Sequence, residues 1–220
     1  MHGYDRLKAS SSDSTPGLRE RQKAARYERI LASARSLFNR LDFDDTTMAA
    51  IAAHAEVSTP TVFNYFKTKD QLLLALVLQV HHETRHRIHS FDTAASANLA
   101  DAISEFLGTY TKTSLKSINR KTWRHVESTR IRLPGSDFVK KYDALTIEMF
   151  EDFYRFLEEV TRGTKLFAGS QAKSVAEMMF NQWSALFIEL IRDEGATIEN
   201  HVDRLHGDIK NLLDVMARPV

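Results

Sequence analysis

Residues 46–73, TTMAAIAAHAEVSTPTVFNYFKTKDQLL, carry the pattern that determines the fold of the N-terminal part of this chain. Thr47 is a predicted helix N-cap. Four apolar residues then follow at the i, i+3, i+4, i+7 spacing of one buried helical face: Met48, Ile51, Ala52 and Ala55. The spacing predicts a short amphipathic helix over residues 47–54, followed by a turn at residues 55–57.

A second helix is predicted directly after this turn, over residues 58–65. Ser58 is a natural N-cap, and Pro60 is tolerated because first-turn amides have no intrahelical partner. Val62 and Phe66 would point inward and leave the other side chains exposed. Two short helices joined by a tight turn, with the second one protruding, form a helix-turn-helix that can sit on DNA.

The exposed side of the second helix is suited to the major groove. Asn64 can pair bidentately with adenine, while Thr59, Pro60 and Thr61 offer hydroxyl or apolar contact to a thymine methyl. The helix has no Arg or Lys, so bidentate reading of guanine is absent from its face. Lys67 and the lysine two residues further on are predicted to bind phosphate. The alternative is an ordinary polar surface helix.

Residues 30–73, ILASARSLFNRLDFDDTTMAAIAAHAEVSTPTVFNYFKTKDQLL, closely resemble the TetR family of bacterial transcriptional regulators. The resemblance implies that residues 59–61 sit in the groove, and that Thr47, Tyr65 and Lys69 clamp the sugar-phosphate backbone. It also implies a dimer on a pseudo-palindromic DNA operator, a ligand-sensing C-terminal domain, and repression released by a small-molecule effector. The full predicted DNA-binding set is Arg19, Arg21, Arg26, Thr47, Ser58, Thr59, Pro60, Thr61, Phe63, Asn64, Tyr65, Lys67 and Lys69.

Three positions depart from the family pattern. The family usually has Gly where Asp42 and Glu56 stand, in backbone that tends to be left-handed, which Asp tolerates better than Glu. We therefore expect strain or an altered turn at Glu56. The family usually has Tyr in place of Phe63, so one hydroxyl-to-phosphate bond is lost and backbone anchoring is weaker.

Composition and charge are typical of a helical regulator. The chain has 220 residues, 43% of them apolar, no cysteine, and a net charge of +1. Between Arg19 and Arg40, however, seven basic residues stand against two acidic ones, a local net of +5. The apolar run at residues 72–78 is far shorter than the roughly 20 residues that cross a bilayer. The sequence predicts a cytoplasmic protein without membrane contact, and it predicts no cofactor.

The predicted fold class is all-α, with about nine helices. Residues 1–18 are predicted to be a disordered N-terminal arm, residues 19–70 a three-helix DNA-binding domain, and residues 71–220 a larger helical domain for effector binding and dimerisation. The first helix is predicted over residues 18–40, and the fourth begins near Thr68 and links the two domains. The later helices are predicted over residues 96–118, 121–131, 136–160, 170–192 and 198–217.

Two further surfaces are predicted in the C-terminal domain. Aromatic and apolar residues that could line a ligand pocket, with core packing as the alternative, are Phe106, Tyr110, Trp123, Tyr142, Met149 and Trp183. A four-helix dimer interface between the last two helices is predicted to use Phe180, Phe187, Ile188, Ile191, Ile209, Leu212, Leu213 and Met216.

Three alternatives stay open at this point. His82, His86 and His89 lie on one face of the fourth helix, a spacing that can chelate zinc, although a solvated face explains it equally well. An enzyme is the rival class, but the sequence has no G-x-S-x-G, no phosphate-binding Gly loop and no H-E-x-x-H, so we predict that the protein is not an enzyme. A DNA-bound adaptor controlled by a protein partner is the third reading.

Overall fold

The computed structural model describes residues 17–89, 96, 98–162 and 171–217, apart from the side chains of residues 89 and 171. Within those residues the chain forms nine α-helices and no strand. The helices are α1 Leu18–Leu41, α2 Met48–His54, α3 Thr59–Tyr65, α4 Lys69–His89, α5 Leu99–Ser117, α6 Arg120–Arg132, α7 Asp137–Val160, α8 Gln171–Arg192 and α9 Ile198–Met216. The all-α prediction is confirmed, and each predicted helix end lies within three residues of the observed one. Of the predicted arm at residues 1–18, residues 1–16 lie outside the described residues, and Leu18 is already part of α1.

Helix ends are set by side chains that cap the first turn. Thr47 accepts a hydrogen bond from the Ala50 amide, and Ser58 accepts one from the Thr61 amide. Asn98, Asn119, Ser136 and Thr197 cap α5, α6, α7 and α9 in the same way. Because each cap satisfies an amide that has no partner within its helix, it defines the residue at which the helix begins.

The first three helices pack around one small core. The apolar residues of the buried face of α1 are Ile30, Leu31, Ala34, Leu37 and Phe38. Ile51 of α2 and Val62 of α3 are fully buried against this face. The alanines beside Ile51 let α1, α2 and α3 approach closely, because small side chains take little space between helices.

This core continues without a break into the C-terminal helices. Leu72, Leu73 and Leu76 of α4 are fully buried in the same cluster as Ile51. Trp123 of α6 and Phe187 of α8 are buried in this cluster as well. A second cluster lies between α5, α7, α8 and α9. The helix-turn-helix is therefore packed directly on the larger helical part, with α4 shared between them.

The predicted dimer residues need a correction. Five of the eight are buried within one chain: Phe180, Phe187, Ile191, Ile209 and Leu213. They belong to the two apolar clusters, so they are not available to a second copy. The apolar periodicity of α8 and α9 was the sign of an internal core, because an amphipathic helix buries its most apolar face first. Ile188, Leu212 and Met216 are half-buried.

Two non-glycine residues have positive φ, and they are the two where a glycine was expected. Asp42 has φ 71° and ψ 170°, and Glu56 has φ 53°. The backbone thus keeps the conformation that suits glycine, as predicted, and it accepts the cost of a side chain. At Asp42 the side chain gains partners, since its carboxylate lies 2.9 Å from Lys121 Nζ and 3.3 Å from Asn119 Nδ2.

No helix among the described residues is long and apolar enough to cross a membrane.

Candidate nucleic-acid interface and buried cavity

The third helix is held by one side chain and presents the others outward. Val62 is its single fully buried residue, and Phe66 anchors the chain directly after it. Pro60, Phe63 and Asn64 are exposed, with 42% of the Phe63 surface accessible. A large aromatic ring left in solvent has no role in this chain's own core, so it is available to a partner.

The hydroxyl groups of the predicted interface have partners within the chain. Ser58 Oγ lies 2.8 Å from Thr61 Oγ1 and also caps α3. Thr47 is exposed and caps α2. Ser58 and Thr47 therefore position the two helix N-termini, while Thr59 and Thr61 are partly exposed on α3.

Lys69 has different partners from the phosphate predicted for it. Its Nζ donates to the carbonyl oxygens of Phe43, Asp44 and Thr46 at 2.6, 3.2 and 2.8 Å, and it lies 4.3 Å from the centroid of the Phe43 ring. An ammonium group has three donors, and all three are used here. Lys69 holds the loop before α2 in place, which is a positioning role that the sequence pattern did not reveal.

The remaining polar residues of the predicted DNA-binding set lie at or near the surface. Lys67 is exposed beyond the end of α3. Tyr65 is half-buried, and its hydroxyl donates to the Lys23 carbonyl of α1 at 3.3 Å, an exposed and weak contact that leaves the group near the surface. Arg19, Arg21 and Arg26 are exposed on α1.

A cavity lies among α4, α5, α6, α7 and α8. Five of the six residues predicted to line a pocket line it: Tyr110, Trp123, Tyr142, Met149 and Trp183. The exception is Phe106, which is buried in the second apolar cluster with its ring 4.3 Å from that of Phe156. The cavity volume is about 50 Å³, which is room for a few water molecules.

Sequence reasoning missed the polar groups of this cavity. His81 of α4 and Glu127 and Arg130 of α6 line it, and none of them stands out by spacing. The Tyr142 hydroxyl donates to Glu127 Oε1 at 2.6 Å, and Arg130 Nε donates to Asp143 Oδ1 at 3.0 Å. Burial, reinforced by the Glu127 charge, raises the pKa of Tyr142 well above its ordinary value, so this phenol stays protonated.

The N-terminal half of α6 also binds the helix-turn-helix domain. The Asn119 amide nitrogen Nδ2 donates to the Phe38 carbonyl at 2.8 Å, and the Asn119 backbone amide donates to Asn39 Oδ1 at 2.8 Å. The last turn of α1 is thereby fixed to the start of α6. His125 lies 3.1 Å from Asp70 Oδ1, and its ring stacks on Phe43 at 3.8 Å between centroids.

The histidine face of α4 does not gather into a metal site in the described part of the chain. His82 and His86 are exposed, and the side chain of His89 lies outside the described residues. No group of three His, Cys, Asp or Glu side chains that could hold a metal ion is found among the side chains that the structure describes. Their neighbour His81 points into the cavity instead.

Comparison with known proteins agrees with this geometry. The sequence profile described as "Bacterial regulatory proteins, tetR family" matches residues 30–76. The HTH-type transcriptional regulator BetI of Klebsiella pneumoniae (strain 342) is 28% identical over 102 residues, which are 44% of this chain and 51% of BetI. The chain thus matches about half the length of this curated relative.

Solved structures share the fold over nearly the whole chain. A TetR-family regulator from Pectobacterium atrosepticum has a TM-score of 0.69 at 16% identity and covers 93% of this chain and 100% of its own. One from Mesorhizobium loti has a TM-score of 0.69 at 16% identity, and the match covers 88% of this chain and 98% of the other. One from Streptomyces coelicolor has a TM-score of 0.68 at 18% identity, and the match covers 92% of this chain and 84% of the other.

The helix-turn-helix of α2 and α3, packed by α1 and α4 on a larger helical part, defines the class of helix-turn-helix transcriptional regulators. Residues 30–76 of the chain carry the N-terminal domain of the TetR family, and the solved structures that share its fold are TetR-family regulators. Regulators of the TetR family are non-enzymatic DNA-binding proteins.

Proposed function

We propose that the protein binds a pseudo-palindromic DNA operator as a homodimer in the cytoplasm and represses transcription until a small-molecule effector releases it. The observation that carries the proposal is the surface of α3, which buries only Val62 and presents Pro60, Phe63 and Asn64 to solvent. The basic face of α1 and Lys67 supply charge for the phosphates on either side.

The proposed roles of the interface residues follow from their surroundings. Asn64 reads adenine, and Thr59, Pro60, Thr61 and Phe63 pack on base edges and thymine methyls. Arg19, Arg21, Arg26, Thr47, Tyr65 and Lys67 contact the backbone. Ser58 orients α3 as its N-cap, and Lys69 orients the loop before α2.

Dimerisation is proposed to use the outward faces of α8 and α9. Met178 on α8 is 59% exposed and Val215 on α9 is 61% exposed, beside the half-buried Ile188, Leu212 and Met216. Apolar side chains on two neighbouring helices form a surface that a symmetric copy can cover. Two-fold symmetry then places two α3 helices about one DNA turn, 34–36 Å, apart.

Effector release is proposed to act through α4 and α6. Trp123, Glu127 and Arg130 of α6 line the cavity, while Asn119 and His125 of the same helix bind the DNA-binding domain. A ligand larger than the present cavity has to move these helices apart. It would therefore favour a dimer in which the distance between the two α3 helices no longer matches the spacing of the DNA half-sites. The shift in this conformational equilibrium is limited by the difference between the ligand's affinities for the two states.

The test is fluorescence anisotropy of the full-length protein on labelled DNA from upstream of its own gene and on scrambled DNA, over a salt series. We expect tight binding to the first DNA alone. Asn64→Ala should weaken this binding by about 1–3 kcal/mol and leave the binding of scrambled DNA unchanged.

Lys67→Ala should weaken binding of both DNAs and reduce the slope of log K against log salt by about 1. Lys112→Ala on α5 is the matched control, because that lysine is exposed and lies outside the proposed interface. Equal, weak binding of both DNAs by the unmodified protein would refute the proposal.

A further inference from the structure

Two polar side chains in the cavity wall lack hydrogen-bond partners. His81 and Tyr110 are only 3% and 2% exposed, yet both ring nitrogens of His81 and the hydroxyl of Tyr110 are unsatisfied. The two rings stack with their centroids 6.2 Å apart and 12° between their planes, and both residues line the cavity. Buried polar groups without partners are rare, because leaving them unsatisfied costs stability.

Other polar groups of the cavity wall are satisfied within the chain. Trp123 Nε1 donates to the Ser114 carbonyl at 3.2 Å, and Trp183 Nε1 donates to Thr111 Oγ1 at 2.9 Å. The Tyr142 hydroxyl donates to Glu127. The Thr84 hydroxyl donates to the Val80 carbonyl, and the Thr146 hydroxyl donates to the Tyr142 carbonyl. His81 and Tyr110 thus stand apart from this satisfied wall as the groups left for a bound molecule.

The charges near these two groups favour a neutral partner. Arg85 Nε lies 2.7 Å from Asp152 Oδ2, and Arg130 is bonded to Asp143, so the cations beside the cavity are already paired. Glu148 Oε2 lies 3.6 Å from His81 Nε2 and would repel an anion. A carboxylate ligand would lose its hydration without gaining a free cation.

The protonation states agree with hydrogen bonding rather than ion pairing. Burial, and then the charge of Arg85, lowers the pKa of His81, so one ring nitrogen donates and the other accepts at neutral pH. Burial, and then the Asp152 charge, raises the pKa of the Tyr110 phenol, which therefore remains a donor.

We propose that the cavity binds a neutral molecule with an apolar body and one hydroxyl or carbonyl oxygen, which accepts a hydrogen bond from Tyr110 and pairs with His81. The inference rests on the proposed function, because it assigns a chemical class to the effector. Trp123, Trp183 and Phe187 provide the apolar walls for the body of the ligand. Binding widens the cavity, because about 50 Å³ is too small for a ring-sized ligand.

Intrinsic fluorescence tests this assignment, because both tryptophans of the chain line the cavity. The full-length protein is titrated at pH 7.5 with cyclohexanol, cyclohexanecarboxylate and cyclohexylammonium, which share one ring and differ in charge. We expect cyclohexanol to bind at least about tenfold more tightly than either ion. Tyr110→Phe should weaken cyclohexanol binding about 5- to 10-fold and leave the thermal unfolding midpoint equal or higher, since an unsatisfied group is removed.

Tyr154→Phe is the control, because Tyr154 lies on α7 outside the cavity wall, and it should leave all three titrations unchanged. Tighter binding of either ion overturns the proposal. Binding of no probe, which would mean that the cavity holds only water, overturns it as well, and so does a Tyr110→Phe variant that binds cyclohexanol unchanged. Operator binding measured on the same preparation separates the two proposals. If the protein still binds its operator DNA while one of these overturning outcomes is found, only the proposed chemical class of the ligand is refuted, and the proposed DNA-binding function stands.

Discussion

At the scale of single residues, Glu56 and Asp42 show how this chain tolerates unfavourable backbone. Glu56 has φ 53° in the turn between α2 and α3 and is exposed, so its side chain contributes little to packing. Asp42 has φ 71°, but its carboxylate binds Lys121 and Asn119 of α6. The cost at Asp42 is therefore offset by contacts, whereas the cost at Glu56 is not.

Replacing Glu56 by glycine should stabilise the protein by about 0.5–1 kcal/mol, because glycine adopts positive φ without steric cost. Urea unfolding at pH 7.5 measures the difference. Glu56→Ala is the matched control, since it removes the same charge but keeps the Cβ, and it should give no gain. An equal gain in both variants would attribute the effect to charge and contradict the backbone explanation.

At the scale of elements, α6 links the cavity to the helix-turn-helix. Its first residues bind the end of α1 through Asn119, and its later residues line the cavity. A second link runs through α4, where Glu83 and Gln79 contact Arg35 and Glu28 of α1 at 3.1 and 3.3 Å. Two helices rather than one thus connect the proposed effector site with α1.

Asn119→Ser separates capping from this connection, because serine keeps an N-cap acceptor for the Thr122 amide but loses the donors to Phe38. We expect a loss of about 1 kcal/mol in unfolding free energy. Asn98→Ser is the control: the Asn98 side chain accepts from the Asp101 amide as the cap of α5, and its amide nitrogen donates to Asp101 Oδ2 in the same turn. Equal losses in the two variants would show that the contact with α1 contributes nothing.

At the scale of the whole molecule, two histidines are buried among the apolar residues of the core, His81 and His201. The cavity holds His81, and a buried chain runs from Trp183 through the Thr111 hydroxyl to His201 Nε2, at 2.9 and 3.0 Å. Because Thr111 accepts from Trp183, its own proton is available for a neutral His201 nitrogen. Burial lowers the pKa of both histidines.

These two histidines should make stability depend on pH. Each binds fewer protons when folded, so its contribution to stability is complete above pH 6.5, the ordinary pKa, and is lost as the pH falls from there toward the lowered pKa. The free energy of unfolding measured with urea should therefore fall between pH 7.5 and 5.5, by at most about 1.4 kcal/mol per pH unit for each histidine. His201→Gln should flatten this dependence, while His54→Gln, at an exposed position, should not.

The oligomeric state tests the revised dimer surface. Met178→Glu places a charge in the centre of the proposed α8 face and should convert the dimer to a monomer in size-exclusion chromatography with light scattering. Ile147→Glu is the control, because Ile147 is 62% exposed on α7, close to the 59% of Met178. A dimer that survives Met178→Glu but not Ile147→Glu would place the interface on α7.

The sequence by itself determined the helices, the helix-turn-helix and the candidate DNA-reading residues. These depend on short-range signals, namely capping residues at 47 and 58, apolar spacing, and Pro60 in a first turn, all of which are local in the chain. It also identified the large aromatic residues Tyr110, Trp123, Tyr142 and Trp183 of the cavity wall, because such residues gather at the centre of a helical domain.

Only the tertiary structure decided which apolar faces are internal, what Lys69 binds, and which polar groups enter the cavity. Phe187 and Ile191 lie in the core of one chain because α8 packs on α6, and no periodicity separates such a face from a dimer face. Lys69 contacts a loop residue 23 positions earlier in the sequence, and His81 and Tyr110 are further apart still. Contacts of this kind depend on how whole helices pack, and that information is not present in any local pattern.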